Sequence, residues 1–137
     1  MKKILLPGII SAIAVFAISM LVGYLSNFIF PGLKGEYENA CMFRPWNDPL
    51  MMAYFAYPLI LAFILSLIWD KVKTIFTGSY INNVLNFTFL YWLATSLPGM
   101  FMSLSSFKIS IIMVVSWTIS GLLQILAASL ITIKMNK

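Results

Sequence analysis

The chain has 137 residues, of which 61% are hydrophobic and 9% charged, with a formal net charge of +5 and no histidine. A surface facing water normally carries about a quarter charged residues, so this composition excludes an ordinary soluble domain and makes a lipid bilayer the natural solvent. Scattered lysines with no basic stripe argue against nucleic acid. A lone cysteine excludes an intrachain disulfide or a multi-cysteine zinc site, and the missing histidine removes the commonest general base and metal ligand.

The first apolar run covers residues 4–26 and opens "MKKILLPGIISAIAVFA". Ala12-Ile13-Ala14 resembles a signal-peptide cleavage site, but the run is too long for a signal h-region and reads as a retained span. Gly8/Ala12 and Ser19/Gly23 are small-residue pairs at four-residue spacing, the pattern that lets membrane helices approach closely. They form the candidate stripe for contact with another helix.

Residues 27–48 form a 22-residue connection. Its Phe28, Phe30, Leu33, Tyr37 and Phe43 predict that it packs down as a lid. Glu36, Glu38, Arg44, Trp46 and Asp48 are the candidate functional cluster of this loop. The two glutamates with Asp48 have the chemistry for a hard cation or an acid–base pair. A solvated loop explains them more simply. Arg44 is placed to reach lipid phosphate or to pair with Glu36 or Glu38. Cys41, Met42, Met51, Met52, Met100 and Met102 all fall on this side and are soft donors of the kind that select Cu(I). Their spacing matches no metal motif, and methionine is an ordinary apolar filler. The reading is therefore no metal and no cofactor.

The "NDP" step starts the second span, residues 49–69, with Asn47 or Asp48 as N-cap and Pro49 in the first turn. Trp46, Tyr24, Tyr54, Tyr57, Phe101 and Phe107 fit an aromatic belt on one side, and Trp69 and Tyr80 one on the other. Gly78 reads as a helix stop and Ser79 as the N-cap of the third span, residues 81–102. In that span Pro98-Gly99 predicts a bend or break, and Pro58 does the same in the second. Asn86 begins an "NFT" triplet but lies inside a span, where glycosylation is not expected.

"SLSSFKI", residues 103–109, is a tight hairpin that makes the third span and the fourth, residues 110–133, antiparallel neighbours. Setting Met102 opposite Ser110 brings Thr88 level with Gln124, Trp92 with Ser120, and Ser96 with Ser116, with Gly121 beside the tryptophan. Asn86, Thr88, Ser96, Ser116, Ser120 and Gln124 are thus the candidate intramembrane polar contacts, with Gln124 bonding to Asn86 or Thr88. No span has an ionised residue inside it, and each is long enough to cross about 30 Å of hydrocarbon as a helix. Lys2, Lys3, Lys71, Lys73, Lys134 and Lys137 on one side, against Lys34, Arg44 and Lys108 on the other, put both termini in the cytoplasm.

The strings "FPGLKGEYEN", "FRPWNDPLM", "LPGMF" and "SWTISGLLQ" resemble, over nearly the whole chain, a set of small four-span membrane proteins, mostly bacterial. The resemblance implies that residues 30–49 do more than connect. It implies no activity.

The reading is an all-α, four-helix transmembrane bundle, a single integral domain of the cell membrane with a structured outer loop. It acts without catalysis, through helix-face contacts with itself or a larger membrane complex. A small oligomeric transporter or channel is the second reading. A membrane enzyme or Cu(I) site at the outer surface is the third.

Overall fold

The computed structural model describes residues 2–39 and 41–136. Among them are five α-helices and no strand. They are α1 (Lys2–Ile29), α2 (Gly32–Tyr37), α3 (Tyr57–Val72), α4 (Tyr80–Ser106) and α5 (Ile111–Met135), with 3₁₀ segments at Pro49–Ala56 and Lys73–Ile75 extending α3. Four stretches are long and apolar enough to cross a membrane: Ile4–Ile29, Pro49–Ile75, Tyr80–Ser106 and Ile111–Met135. The protein is an all-helical, multi-pass membrane protein.

Local chemistry sets the helix starts. The Asp48 carboxylate accepts from Leu50 N–H at 2.8 Å, and Pro49 occupies the first turn. Ser79 and Ser110 accept from Asn82 N–H and Met113 N–H at 3.4 and 3.1 Å, opening α4 and α5. Each cap occupies one of the donors that a helix start leaves bare. Where Tyr57 N–H bonds the carbonyl of Tyr54, the 3₁₀ segment passes into α3. Pro58 follows at once, in the first turn of α3, where its missing N–H costs little.

All four long helices contribute to the packed core. α1 lies along both α3 and α5, α3 and α5 touch over a shorter length, and α4 lies along α5. Val15, Leu61, Leu65, Trp69, Phe87, Ile125 and Ala128 are among the residues that meet in the centre. Gly8 allows the α1–α3 approach: a Cβ there would sit 2.8 Å from the Phe63 ring. The small-residue stripe on α1 is therefore spent within the molecule. Gly8 and Ala12 are buried and Ser19 bonds the Tyr54 hydroxyl at 3.5 Å, while Gly23 alone faces open space.

Buried hydroxyls tie α1, α3 and α5 together. Ser11 donates to the carbonyl of Ala128 at 3.3 Å and lies 3.2 Å from the Thr132 hydroxyl, which lies 3.1 Å from that of Ser66. A hydroxyl has one proton to give. With Ser11's committed to Ala128, Thr132 must donate to Ser11 and Ser66 to Thr132. One directed chain thus links α3, α5 and α1, and all three side chains are fully buried. At the end where α1 begins and α5 finishes, Trp69 donates to the carbonyl of Asn136 at 2.8 Å. The Asn136 amide accepts from Lys73 at 2.7 Å and donates to Asp70 at 3.1 Å, while Lys73 and Asp70 pair at 3.3 Å.

Several expectations need correction. α3 ends at Val72, before Gly78, and no glycine has a positive φ. A 3₁₀ turn and the Asn83 side chain, which accepts from Gly78 N–H at 3.1 Å, close the connection instead. α4 runs unbroken through Pro98 to Ser106, so the hairpin shrinks to residues 107–110. Every further broken ladder bond would strand a backbone group in lipid, and Ser103 and Ser105 bond back to the carbonyls of Gly99 and Met102 without ending the helix. Trp69 is buried rather than in a belt, and the Tyr80 hydroxyl donates to the Leu130 carbonyl at 2.7 Å.

Candidate functional site

Two places depart from plain helix packing: the end capped by the α1–α3 connection, and the outward face of α4.

At the capped end, α2 lays the connection over the start of α5. Leu33 is buried beneath it. The Glu36 carboxylate accepts from Ser110 N–H at 3.0 Å, placing an anion at the positive end of the α5 dipole and satisfying a bare donor. One residue on, the Tyr37 hydroxyl accepts from the Trp117 indole at 2.6 Å. Phe43 completes a three-ring cluster, 5.6 Å from Tyr37 and edge-on to Trp117 at 6.1 Å. Desolvation pushes the Tyr37 phenol above its ordinary pKa, outweighing the opposing bond from Trp117. The expected lid is there, held by Leu33, Tyr37 and Phe43, while Phe28 and Phe30 stay exposed.

The five candidate loop residues do not converge on one point. Glu36 is engaged with α5. Glu38 faces Lys34 at 4.0 Å with both side chains largely exposed, a pair of little energetic weight. Arg44 pairs with Asp48 at 2.8 Å, not with either glutamate. That bond, followed by the one from Leu50 N–H, holds the Asp48 carboxyl below the usual aspartate range. Trp46 is exposed and packs edge-on against Tyr54 at 6.3 Å. Of the sulfur residues, Cys41, Met52 and Met102 are exposed and Met42, Met51 and Met100 half-buried. The Cys41 N–H turns in to the Asn39 side chain at 3.1 Å.

The polar residues of the α4–α5 pair divide between two faces. Trp92 donates to the carbonyl of Thr118 at 3.1 Å, and the Ser96 hydroxyl lies 3.2 Å from where a Gly121 Cβ would be. The hairpin register therefore runs close to the expected one, with Ser96 rather than Trp92 against the glycine. Gln124 donates to Ser120 on its own helix at 2.8 Å, and Ser116 is half-buried. Thr88 and Gln124 are both buried, yet the threonine hydroxyl and the glutamine carbonyl oxygen have no partner among the described residues. Ser129 is likewise buried and unpartnered.

Asn86 lies on the opposite face, exposed. Its neighbour Phe87 packs on Trp69 at 5.3 Å, and Trp69 adjoins the charged Asp70. That places Asn86 about level with Asp70, at the edge of the apolar region. A groove of about 460 Å³ runs there between the α3–α4 connection and the first turns of α4, with Thr77, Asn82 and Asn86 along it and Phe89 and Leu90 beyond. Only 11% of the apolar window of α4 is buried, against 28% for each of the other spans.

No family model, curated protein or solved structure matches this chain.

The sequence reading missed the Ser66–Thr132–Ser11 chain, the Asn136 clamp and the Tyr37–Trp117 bond. Isolated hydroxyls in apolar runs mark such residues. Their partners lie 66 to 121 residues away, and no spacing rule connects those positions.

Proposed function

We propose that the protein is a non-enzymatic membrane component that works by offering the free face of α4 to another transmembrane helix. The observation that supports this is the exposed Asn86 amide on α4, the span with the smallest buried share, which lies along α5 and meets α3 only near Phe87. In membranes, polar side chains of this kind bond across helix interfaces. The non-catalytic reading draws on the loop end, where Glu36, Arg44 and Asp48 are each occupied in holding the chain in place. The lysine bias supports cytoplasmic termini in the cell membrane, with the α1–α3 connection outside.

Photo-crosslinking in native membranes tests the reading. A crosslinker at Phe89 or Leu93 on α4 is expected to give a discrete protein adduct, and one at Ile13, exposed on α1, is not. Lipid adducts alone at all three positions would overturn it.

A further inference from the structure

We infer that Pro58 acts as a conformational stop. It holds the first half of the second span in a stretched 3₁₀ form, and lifting the stop lets that half rewind into α-helix and draw the α1–α3 connection toward the bundle.

Pro49–Ala56 runs for eight residues as 3₁₀-helix, where such runs seldom pass about three or four. Its own side chains do not call for that form, since leucine, methionine and alanine are among the best α-helix formers. None of its residues is buried, so close packing does not impose it either. The cause lies just beyond the segment. In an α-helix the Tyr54 carbonyl would accept from the N–H of position 58, and that residue is a proline with no proton to give. In the 3₁₀ form Tyr57 N–H serves the same carbonyl. The shift of one place then passes back along the segment to its start. There Met51 N–H reaches the Asp48 carbonyl at 2.9 Å, and the Asp48 carboxylate accepts from Leu50 N–H at 2.8 Å. The gap that Pro58 makes is thereby moved out of the apolar run, where a bare carbonyl has no water to turn to, to an end already closed by a side chain.

Pro98 shows why this remedy is confined to the second span. It lies eighteen residues past the start of α4 at Tyr80, so moving its gap to that end would take a 3₁₀ run through most of the helix. The poorer bond geometry of 3₁₀ winding is met at every residue, and over that distance it outweighs one lost bond. α4 accordingly stays α-helical. The run from Pro58 back to Pro49 is half as long. Its form also fixes positions. A rise of about 2.0 Å per residue against about 1.5 Å makes eight residues about 4 Å longer, and each is turned about 20° further than in an α-helix. That winding brings Tyr54 within 3.5 Å of Ser19 and Phe55 within 6.3 Å of Phe16 on α1. It also sets the height at which Asp48 meets Arg44. Rewinding would turn Tyr54 and Phe55 off α1 and pull Asp48 about 4 Å toward Pro58.

The test uses the full chain in lipid nanodiscs. Backbone proton contacts by NMR are expected to show 3₁₀ winding over residues 49–57 in the wild-type protein and α winding there in Pro58→Ala. Spin labels at Leu50 and Leu67, both exposed, in a Cys41→Ser background are expected to come about 3–4 Å closer when Pro58→Ala is added. Pro58→Leu, which also restores the N–H, is expected to do the same. Phe16→Ala combined with Ser19→Ala removes two contacts from α1 and is expected to leave the 3₁₀ pattern in place. Pro98→Ala is expected to leave the label distance unchanged. Pro58→Ala and Pro58→Leu proteins that keep both the 3₁₀ pattern and the label distance would overturn the proposal, as would α winding in the wild type. Rewinding in the Phe16→Ala, Ser19→Ala protein would also overturn it, because α1 rather than Pro58 would then hold the segment.

Discussion

α5 and α4 are antiparallel neighbours of similar length, and they treat their polar residues in opposite ways. α5 is enclosed by α1, α3 and α4. Its Thr132 gives and receives hydrogen bonds within the bundle, and Asn136, just past its end, is buried by Trp69, Asp70 and Lys73. α4 lies along α5 alone, meets α3 through Phe87 on Trp69, and turns Asn86 outward. The same kind of residue closes the bundle in one helix and faces out of it in the other, because what differs is the number of neighbours. A polar group in a membrane helix tells where a partner must be, not whether that partner belongs to the same chain.

The sharpest way to press the comparison is to crowd the enclosed side. Gly8→Leu drives a side chain into the Phe63 ring and is expected to cost about 1–3 kcal/mol, read as a lower thermal midpoint in detergent. Gly23→Leu, on the same stripe with nothing nearby, is expected to change stability by less than about 0.5 kcal/mol. Equal effects would mean that α1 does not pack as described.

Thr132→Val keeps the shape and removes the hydroxyl shared by Ser66 and Ser11. The expected loss is about 1–2 kcal/mol, measured by reversible unfolding in mixed micelles. A neutral result would mean that Ser66 finds another acceptor and that Ser11 does not need the donor it loses.

At the capped end, Tyr37→Phe leaves the Trp117 indole without its acceptor. The expected cost is about 0.5–1.5 kcal/mol, with faster amide exchange confined to residues 32–43. Exchange that rises equally throughout α5 would contradict a locally held lid.

The smallest effect concerns pH. Asp48's carboxyl is depressed in the fold, so the stability it contributes is present above the ordinary aspartate value of about 3.9. That stability is lost as the pH falls through the lower folded value. Below about pH 4 the α3 end of the connection should loosen in exchange measurements, and Asp48→Asn should flatten that dependence.

Much of the architecture could be read from the chain. Charge-free apolar runs of membrane-spanning length mark the helices. Asp48 with Pro49, and Ser79, announce two starts, and a short hairpin makes α4 and α5 neighbours. The misreadings share one cause. Gly78, Pro98 and Trp69 carry strong local preferences, and each was overruled by what surrounds it. α4 continues past Pro98 at the loss of the one bond that proline cannot donate, and the indole of Trp69 has an acceptor at Asn136. The loop residues suffered from the opposite problem. Glu36, Arg44 and Asp48 look like one cluster in sequence, but Glu36 is drawn to the start of α5, 74 residues away, leaving Asp48 to Arg44.

The sequence alone determined the solvent, the number of crossings and the pairing of the last two helices, because hydropathy, helix rise and loop length are local quantities. Which hydroxyls bond to each other, which small residues are already used, and which helix keeps an open face were decided only by the tertiary arrangement. Each depends on what stands opposite a residue across the bundle, and an unbroken apolar run looks the same whether protein or lipid lies against it.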